Sequence, residues 1–230
     1  MSPQQESNLG AQQERQILTK VRLIKKGKTY TSVRRVGRRI ASVSGRPDFK
    51  WRYHLVNNPK QANAFVLPGG KIFVYSGLFK YAANEAELSA VIAHEVAHAL
   101  RSHGVKNASR RQNAGLLGAI VQVGMGVAGV DSSTAQQVNT VYNKGATYGY
   151  VRPYSRQNET EADSIGLMLM AKAGYNPKAA LSFWEKFGKQ GTRTPEYMST
   201  HPAPSSRISN IKRLLPKAMA LYQKSKYRKK

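Results

Sequence analysis

The 230-residue sequence contains no cysteine, which excludes both disulfides and thiolate metal sites. It is also poor in acid. Twelve Asp and Glu stand against 37 Lys and Arg, for a formal net charge of +25. So large an excess implies attraction to an anionic surface, whether lipid head groups, nucleic acid or an acidic protein partner. The basic runs, Lys20 to Arg39 and Lys224 to Lys230, lack the interleaved aromatics that base stacking requires. No nucleic-acid module is recognisable, so specific nucleic-acid binding is not expected. The first ten residues are polar, with no secretory signal, and the chain is expected to be a mature form.

Because acid is scarce, its placement is informative. Four of the twelve acidic residues, Glu95, Glu159, Glu161 and Asp163, fall in two short segments. The first segment is His94-Glu95-Val96-Ala97-His98. On a helix, positions i and i+4 share one face, so both imidazoles can reach one ion, while Glu95 stands about 100° further round as a candidate general base. This is the H-E-x-x-H arrangement of zinc peptidases. Hydrolysis at such an ion needs a third protein ligand and an open position for water. One known class supplies a third histidine ten residues after the first, preceded by a glycine at the seventh. Those places hold Gly104 and Arg101, which excludes that class. The other common solution is a glutamate on a second helix. Asn158-Glu159-Thr160-Glu161-Ala162-Asp163 offers one: Glu159 could ligate while Asp163, four residues on, holds a ligand histidine by its free ring N–H.

The chain resembles the zinc metallopeptidase family that includes HtpX and the CAAX prenyl endopeptidase, and is most similar to its soluble periplasmic branch. The resemblance rests on Asn63-Ala64-Phe65 with Pro68-Gly69-Gly70-Lys71-Ile72, on His94 to His98, on Ser155-Arg156 with Glu159 to Asp163, and on His201-Pro202 with Arg207. It implies a gluzincin-type peptidase domain and one Zn2+ per chain held by His94, His98 and Glu159. It also implies endoproteolysis of polypeptides, such as misfolded or envelope proteins in quality control. Glu95 would be the base, and His201 or Arg207 would steady the oxyanion or, for His201, plug the open site. The implied setting is the periplasm or outer membrane of a Gram-negative bacterium. A chaperone-like zinc module at a membrane surface, with latent protease activity, is the alternative.

The expected fold is α+β and mainly helical, with a small β-sheet beside the active-site helix. Residues 1–45 are expected to form a basic amphipathic helical region, 46–223 the catalytic domain and 224–230 a basic tail. Ile17, Leu18, Val21 and Ile24, then Val33, Val36 and Ile40, recur with helical spacing. Phe49 to Leu55 alternates as a half-buried strand with His54 on its polar side. Ala64 to Leu67 and Lys71 to Tyr75 read as strands joined through Pro68-Gly69-Gly70. The second of them, Lys71, Ile72, Phe73, Val74 and Tyr75, is expected to offer an edge for an extended substrate. Asn84 caps the active-site helix, with Glu87 at the capping-box position. Gln112 to Val130 is free of charge, yet a single crossing there would separate two ligands of one zinc across a bilayer. The stretch therefore reads as a buried hairpin helix or a loop dipping into a membrane surface, and 132–152 as a lid.

Overall fold

The computed structural model describes residues 2–102, 152–188, 201 and 204–228. The charge-free stretch, the expected lid and the residues flanking His201 lie outside them, as does the side chain of Ser155. The helices are α1 (Pro3–Leu18), α2 (Lys28–Ser42), α3 (Glu85–Leu100), α4 (Arg152–Lys172), α5 (Lys178–Gly188) and α6 (Pro204–Gln223). The strands are β1 (Leu23–Ile24), β2 (Arg52–Val56), β3 (Ala64–Leu67) and β4 (Lys71–Tyr75). The chain divides into two compact units, residues 1–102 with 160–230, and residues 103–159. Of the second unit, the described element is the opening of α4, which runs on as one helix into the first. Among the described residues no helix is long and apolar enough to cross a membrane.

The fold is α+β and mostly helical, as the sequence implied. Its sheet is mixed, in the order β1-β2-β4-β3, with β2 and β4 parallel and the other pairs antiparallel. The β3–β4 hairpin follows its sequence signals. Gly69 (φ 68°) and Gly70 (φ 88°) supply the left-handed backbone of the turn, and a Cβ on Gly70 would come 2.6 Å from the Trp51 ring. α2 buries Val33, Val36 and Ile40 against the sheet and α3. α3 is buried nearly all round, which marks it as the central helix. Asn84 accepts from the Glu87 N–H at 2.9 Å, and the Glu87 carboxylate reaches back to the Ala83 N–H, one residue before the cap, at 2.8 Å. Leu88, Ile92 and Val96 of α3 meet Leu55, Ile72 and Val74 of the sheet, Met170 of α4 and Phe183 and Phe187 of α5 in one core.

The amino-terminal region departs from expectation. Ile24 belongs to a strand, and α1 starts at Pro3, behind a capping box between Ser2 and Gln5. α1 buries Glu6, Gly10 and Glu14 rather than an apolar stripe. Glu14 takes His54 at 2.7 Å and Arg52 at 3.1 Å, and Glu6 accepts from Ser102 at 3.1 Å. A Cβ on Gly10 would lie 1.8 Å from the Pro68 carbonyl oxygen, so only glycine lets the helix sit there. His54 is therefore not a solvated surface histidine: its side chain is 15% exposed against a Glu14 that is 2% exposed.

Candidate metal centre

α3 places His94 and His98 one turn apart with their Nε2 atoms 2.9 Å from each other. Two imidazoles around one tetrahedral ion take a separation of about 3.3 Å, so the pair is close to a ligating arrangement. Glu95 is buried on the adjoining face of the helix. α4 carries Glu159 and Asp163 one turn apart, both buried. His94, His98, Glu159 and His201 each offer a ligand atom, and these atoms all lie within 4.8 Å of one another. Imidazole nitrogens with a carboxylate oxygen make a donor set suited to a divalent transition metal.

The two helices approach closely at Gly166. A Cβ there would stand 3.0 Å from the His94 backbone nitrogen and 3.1 Å from the Ala93 carbonyl. A side chain at this position would separate α4 from the segment that carries the histidines.

Asp163 fixes the orientation of His94. Its Oδ1 lies 2.9 Å from His94 Nδ1, which as donor leaves Nε2 free to ligate. Asp163 is held in turn by Arg207 of α6, whose Nε donates to Oδ2 at 2.8 Å and whose Nη2 donates to Oδ1 at 2.5 Å. Burial pushes the Asp163 carboxyl up, but Arg207 and His94 outweigh it and hold it below the usual carboxylate range. Arg207 Nη2 also lies 2.8 Å from Nδ1 and 3.2 Å from Nε2 of His94. A donor that near both ring nitrogens packs against the ring rather than along one lone pair. The guanidinium carbon lies 3.7 Å from the Trp184 ring centroid.

This geometry corrects one sequence reading. Arg207 is fully buried and its donors are committed to Asp163, with a further contact to the His201 carbonyl at 3.4 Å. It is a positioning residue and is not placed to steady an oxyanion. His201 stands differently. Its Nε2 is 3.6 Å from Glu95 Oε1, and its ring centroid is 5.1 Å from that of His94 and 5.4 Å from that of His98. Nothing in the sequence around Trp184 announces a guanidinium on its ring face.

The expected substrate strand is also corrected. Lys71, Ile72, Phe73, Val74 and Tyr75 form β4, which is paired on both sides, by β2 and by β3, so its N–H groups face partner strands and not a substrate. Lys71 is buried with its ammonium on the Gly69 carbonyl at 2.9 Å, and burial pushes its pKa down. The outer strand on this side of the sheet is β3. Tyr75 N–H donates to the Asn63 carbonyl at 2.9 Å, so 63, 65 and 67 are the residues hydrogen-bonded to β4, and the backbone of Ala64 and Val66 points outward. The Asn63 side chain already takes the Ala64 N–H at 2.9 Å, which leaves Val66 as the outward-facing donor of the strand.

The model of peptidase family M48 matches residues 28–215. Over 185 residues, 76% of this chain, the sequence is 40% identical to the mitochondrial metalloendopeptidase OMA1 of Saccharomyces cerevisiae, half of whose length is covered. The corresponding human protein is 34% identical over 78% of this chain and 35% of its own length. The beta-barrel assembly-enhancing protease of Escherichia coli is 29% identical over 90% of this chain and 43% of its own. The chain thus spans about half the length, or less, of these relatives.

Proposed function

The chain belongs to peptidase family M48, and on that premise we propose that it is a zinc-dependent endopeptidase domain. Its substrates in this reading are polypeptides, chiefly misfolded or envelope proteins under quality control. The observation that carries the reading is the convergence of His94, His98, Glu159 and His201 beside a buried Glu95. His94, His98 and Glu159 are the residues that would hold one zinc ion. When bound, the ion supplies Lewis acidity, which polarises the scissile carbonyl and brings the pKa of water toward neutrality.

The chain's own residues do the rest. Asp163 keeps the proton on His94 Nδ1 and so presents Nε2 unprotonated. Arg207 holds Asp163 in place. Glu95 takes the proton of the attacking water on its carboxylate and returns it to the leaving amine. His201, 3.6 Å from that carboxylate, either donates to the oxyanion or closes the site. An extended substrate would add as a further strand on β3, paired through the Val66 backbone. The proposed setting is an anionic membrane surface in the bacterial periplasm, which suits a chain of net charge +25.

Casein cleavage by wild-type protein and by Glu95→Gln, each with and without a chelator, tests the reading. Cleavage by the wild type alone, abolished by chelation and by Glu95→Gln, is expected. A metal-loaded wild type that cleaves no polypeptide would instead favour a chaperone-like zinc module.

A further inference from the structure

A second site-like feature lies on the sheet side of α2 and shares no residue with the metal centre. A concavity of about 370 Å³ opens between α2 and the β1–β2 edge of the sheet. Tyr30, Arg34 and Arg38 line it from one stripe of α2 at i, i+4 and i+8, Lys25 from the turn after β1, and Arg52 from β2. Among the described residues no carboxylate lines it. We infer that this concavity binds a phosphate ester, with the guanidinium groups of Arg34 and Arg38 on the phosphate oxygens and the aromatic wall against the ester's organic part.

Four observations carry the inference. First, Lys25, Arg34 and Arg38 converge on one concavity from the turn after β1 and from α2 instead of splaying over a convex face. Second, among the described residues Lys25, Arg34 and Arg38 have no carboxylate partner, whereas Arg35, Arg46 and Arg101 pair with Glu85, Asp48 and Glu161. Third, Glu14 of α1, which is not among the lining residues, already pairs with Arg52 and His54, so the cationic charge left to the concavity sits on Lys25, Arg34 and Arg38. Fourth, the wall is built. The Tyr53 ring packs closely against α2 because residue 37 is glycine, where a Cβ would come 2.4 Å from two ring carbons. Burial raises the Tyr53 pKa, so its phenol stays protonated and keeps a donor. Trp51 and Tyr30 are half-buried beside it, and Arg34 lies 5.4 Å over the Tyr30 ring.

Two adjacent guanidinium groups match the oxygens of a phosphate better than they match a single carboxylate. The volume exceeds that of inorganic phosphate and lies in the range of small-molecule sites. A glycerophosphate fits this description, either as the headgroup of an acidic phospholipid or as a soluble ester.

The test uses the full chain and two double variants of equal charge. Arg34→Gln/Arg38→Gln alters the concavity. Lys212→Gln/Lys217→Gln alters two exposed lysines of α6 and serves as control. Circular dichroism verifies folding of both. Binding is measured to phosphatidylglycerol–phosphatidylcholine vesicles at low salt, and glycerol 3-phosphate is titrated by calorimetry. If the phosphate is a lipid's, vesicle binding falls about 30-fold in the Arg34/Arg38 variant and little in the control. If the ester is soluble, glycerol 3-phosphate saturates one site that only the Arg34/Arg38 variant loses, while vesicle binding is equal across all three proteins. Equal losses of vesicle binding in the two variants, with no saturable uptake of glycerol 3-phosphate, would overturn the inference and leave only diffuse charge.

Discussion

Removing both members of the Asp163–Arg207 pair should harm the protein by clearly less than the two single losses combined. The two side chains are 3% and 2% exposed and joined by contacts of 2.5 and 2.8 Å. Deleting one partner of a buried ion pair leaves an uncompensated charge and costs about 3–5 kcal/mol. For Asp163→Asn the lower end applies, near 3 kcal/mol, because the stranded Arg207 still lies 3.7 Å over Trp184, a contact that recovers up to about 2 kcal/mol. The amide also removes the acceptor that fixes the His94 Nδ1 proton, so metal affinity should fall about 10–100-fold. Arg207→Gln should cost a similar 3–4 kcal/mol by leaving a buried carboxylate. The double variant buries no unpaired charge, so its destabilisation should be smaller than the sum of the singles by about 2–3 kcal/mol. Urea unfolding of the four proteins, followed by circular dichroism in the presence of a chelator, measures the cycle without contribution from metal. Additivity within about 0.5 kcal/mol would refute the claim that these residues form one charge-compensated unit.

Gly166→Ala should force a shift between α3 and α4, because its Cβ would lie 3.0 Å from His94 N. A loss of about 1–3 kcal/mol in unfolding is expected, with weakened metal binding. Wild-type stability and metal content would mean the helices do not meet there as described. Glu87→Gln tests a pH dependence. Burial raises the Glu87 carboxyl, but Lys186, the Ala83 N–H and Ser182 outweigh this and hold its pKa below the ordinary value. Its stabilisation is therefore present above the unfolded-state value of about 4.3 and lost as pH falls through the lower folded value. The variant should be about 1.5–3 kcal/mol less stable at pH 7, with the gap narrowing toward pH 3; a gap constant with pH would sink the assignment. Val66→Pro should raise KM for peptides at unchanged fold, since it removes an outward N–H without breaking the β3–β4 ladder. An unaltered KM would exclude docking along β3. His201→Ala should change turnover in one direction at constant metal content, upward if the ring closes the site and downward if it steadies the oxyanion; an unchanged rate would leave it neither role.

Much of the architecture around the site is readable from local signals. Asn84 with Glu87 marks the start of α3, and Pro68-Gly69-Gly70 sets the β3–β4 turn. The four-residue spacings place His94 with His98, and Glu159 with Asp163, on shared helix faces. What escaped depends on pairing across the chain. Strand order is not written in a strand's own residues, so the parallel pairing of β2 with β4, which seals Lys71 to Tyr75 inside the sheet, could not be read. Apolar periodicity likewise misdirects at α1, whose buried face is Glu6, Gly10 and Glu14. These residues are satisfied by Ser102, by close approach to Pro68, and by Arg52 and His54. Its beginning does carry a local signal, Ser2-Pro3-Gln4-Gln5: a cap, a first-turn proline and a glutamine three residues after the cap. Arg207 shows the same limit. The sequence places it near His201, but only the fold turns its guanidinium onto Asp163 and away from any oxyanion.

The central claim is that a glutamate distant in sequence completes a metal site begun by His94 and His98. Elemental analysis of purified protein tests it most directly, comparing the wild type with Glu95→Gln and Glu159→Ala. The account predicts about one zinc per chain in the wild type and in Glu95→Gln, and little in Glu159→Ala, because two histidines alone do not make a closed site. A full complement of zinc in a folded Glu159→Ala protein would contradict it.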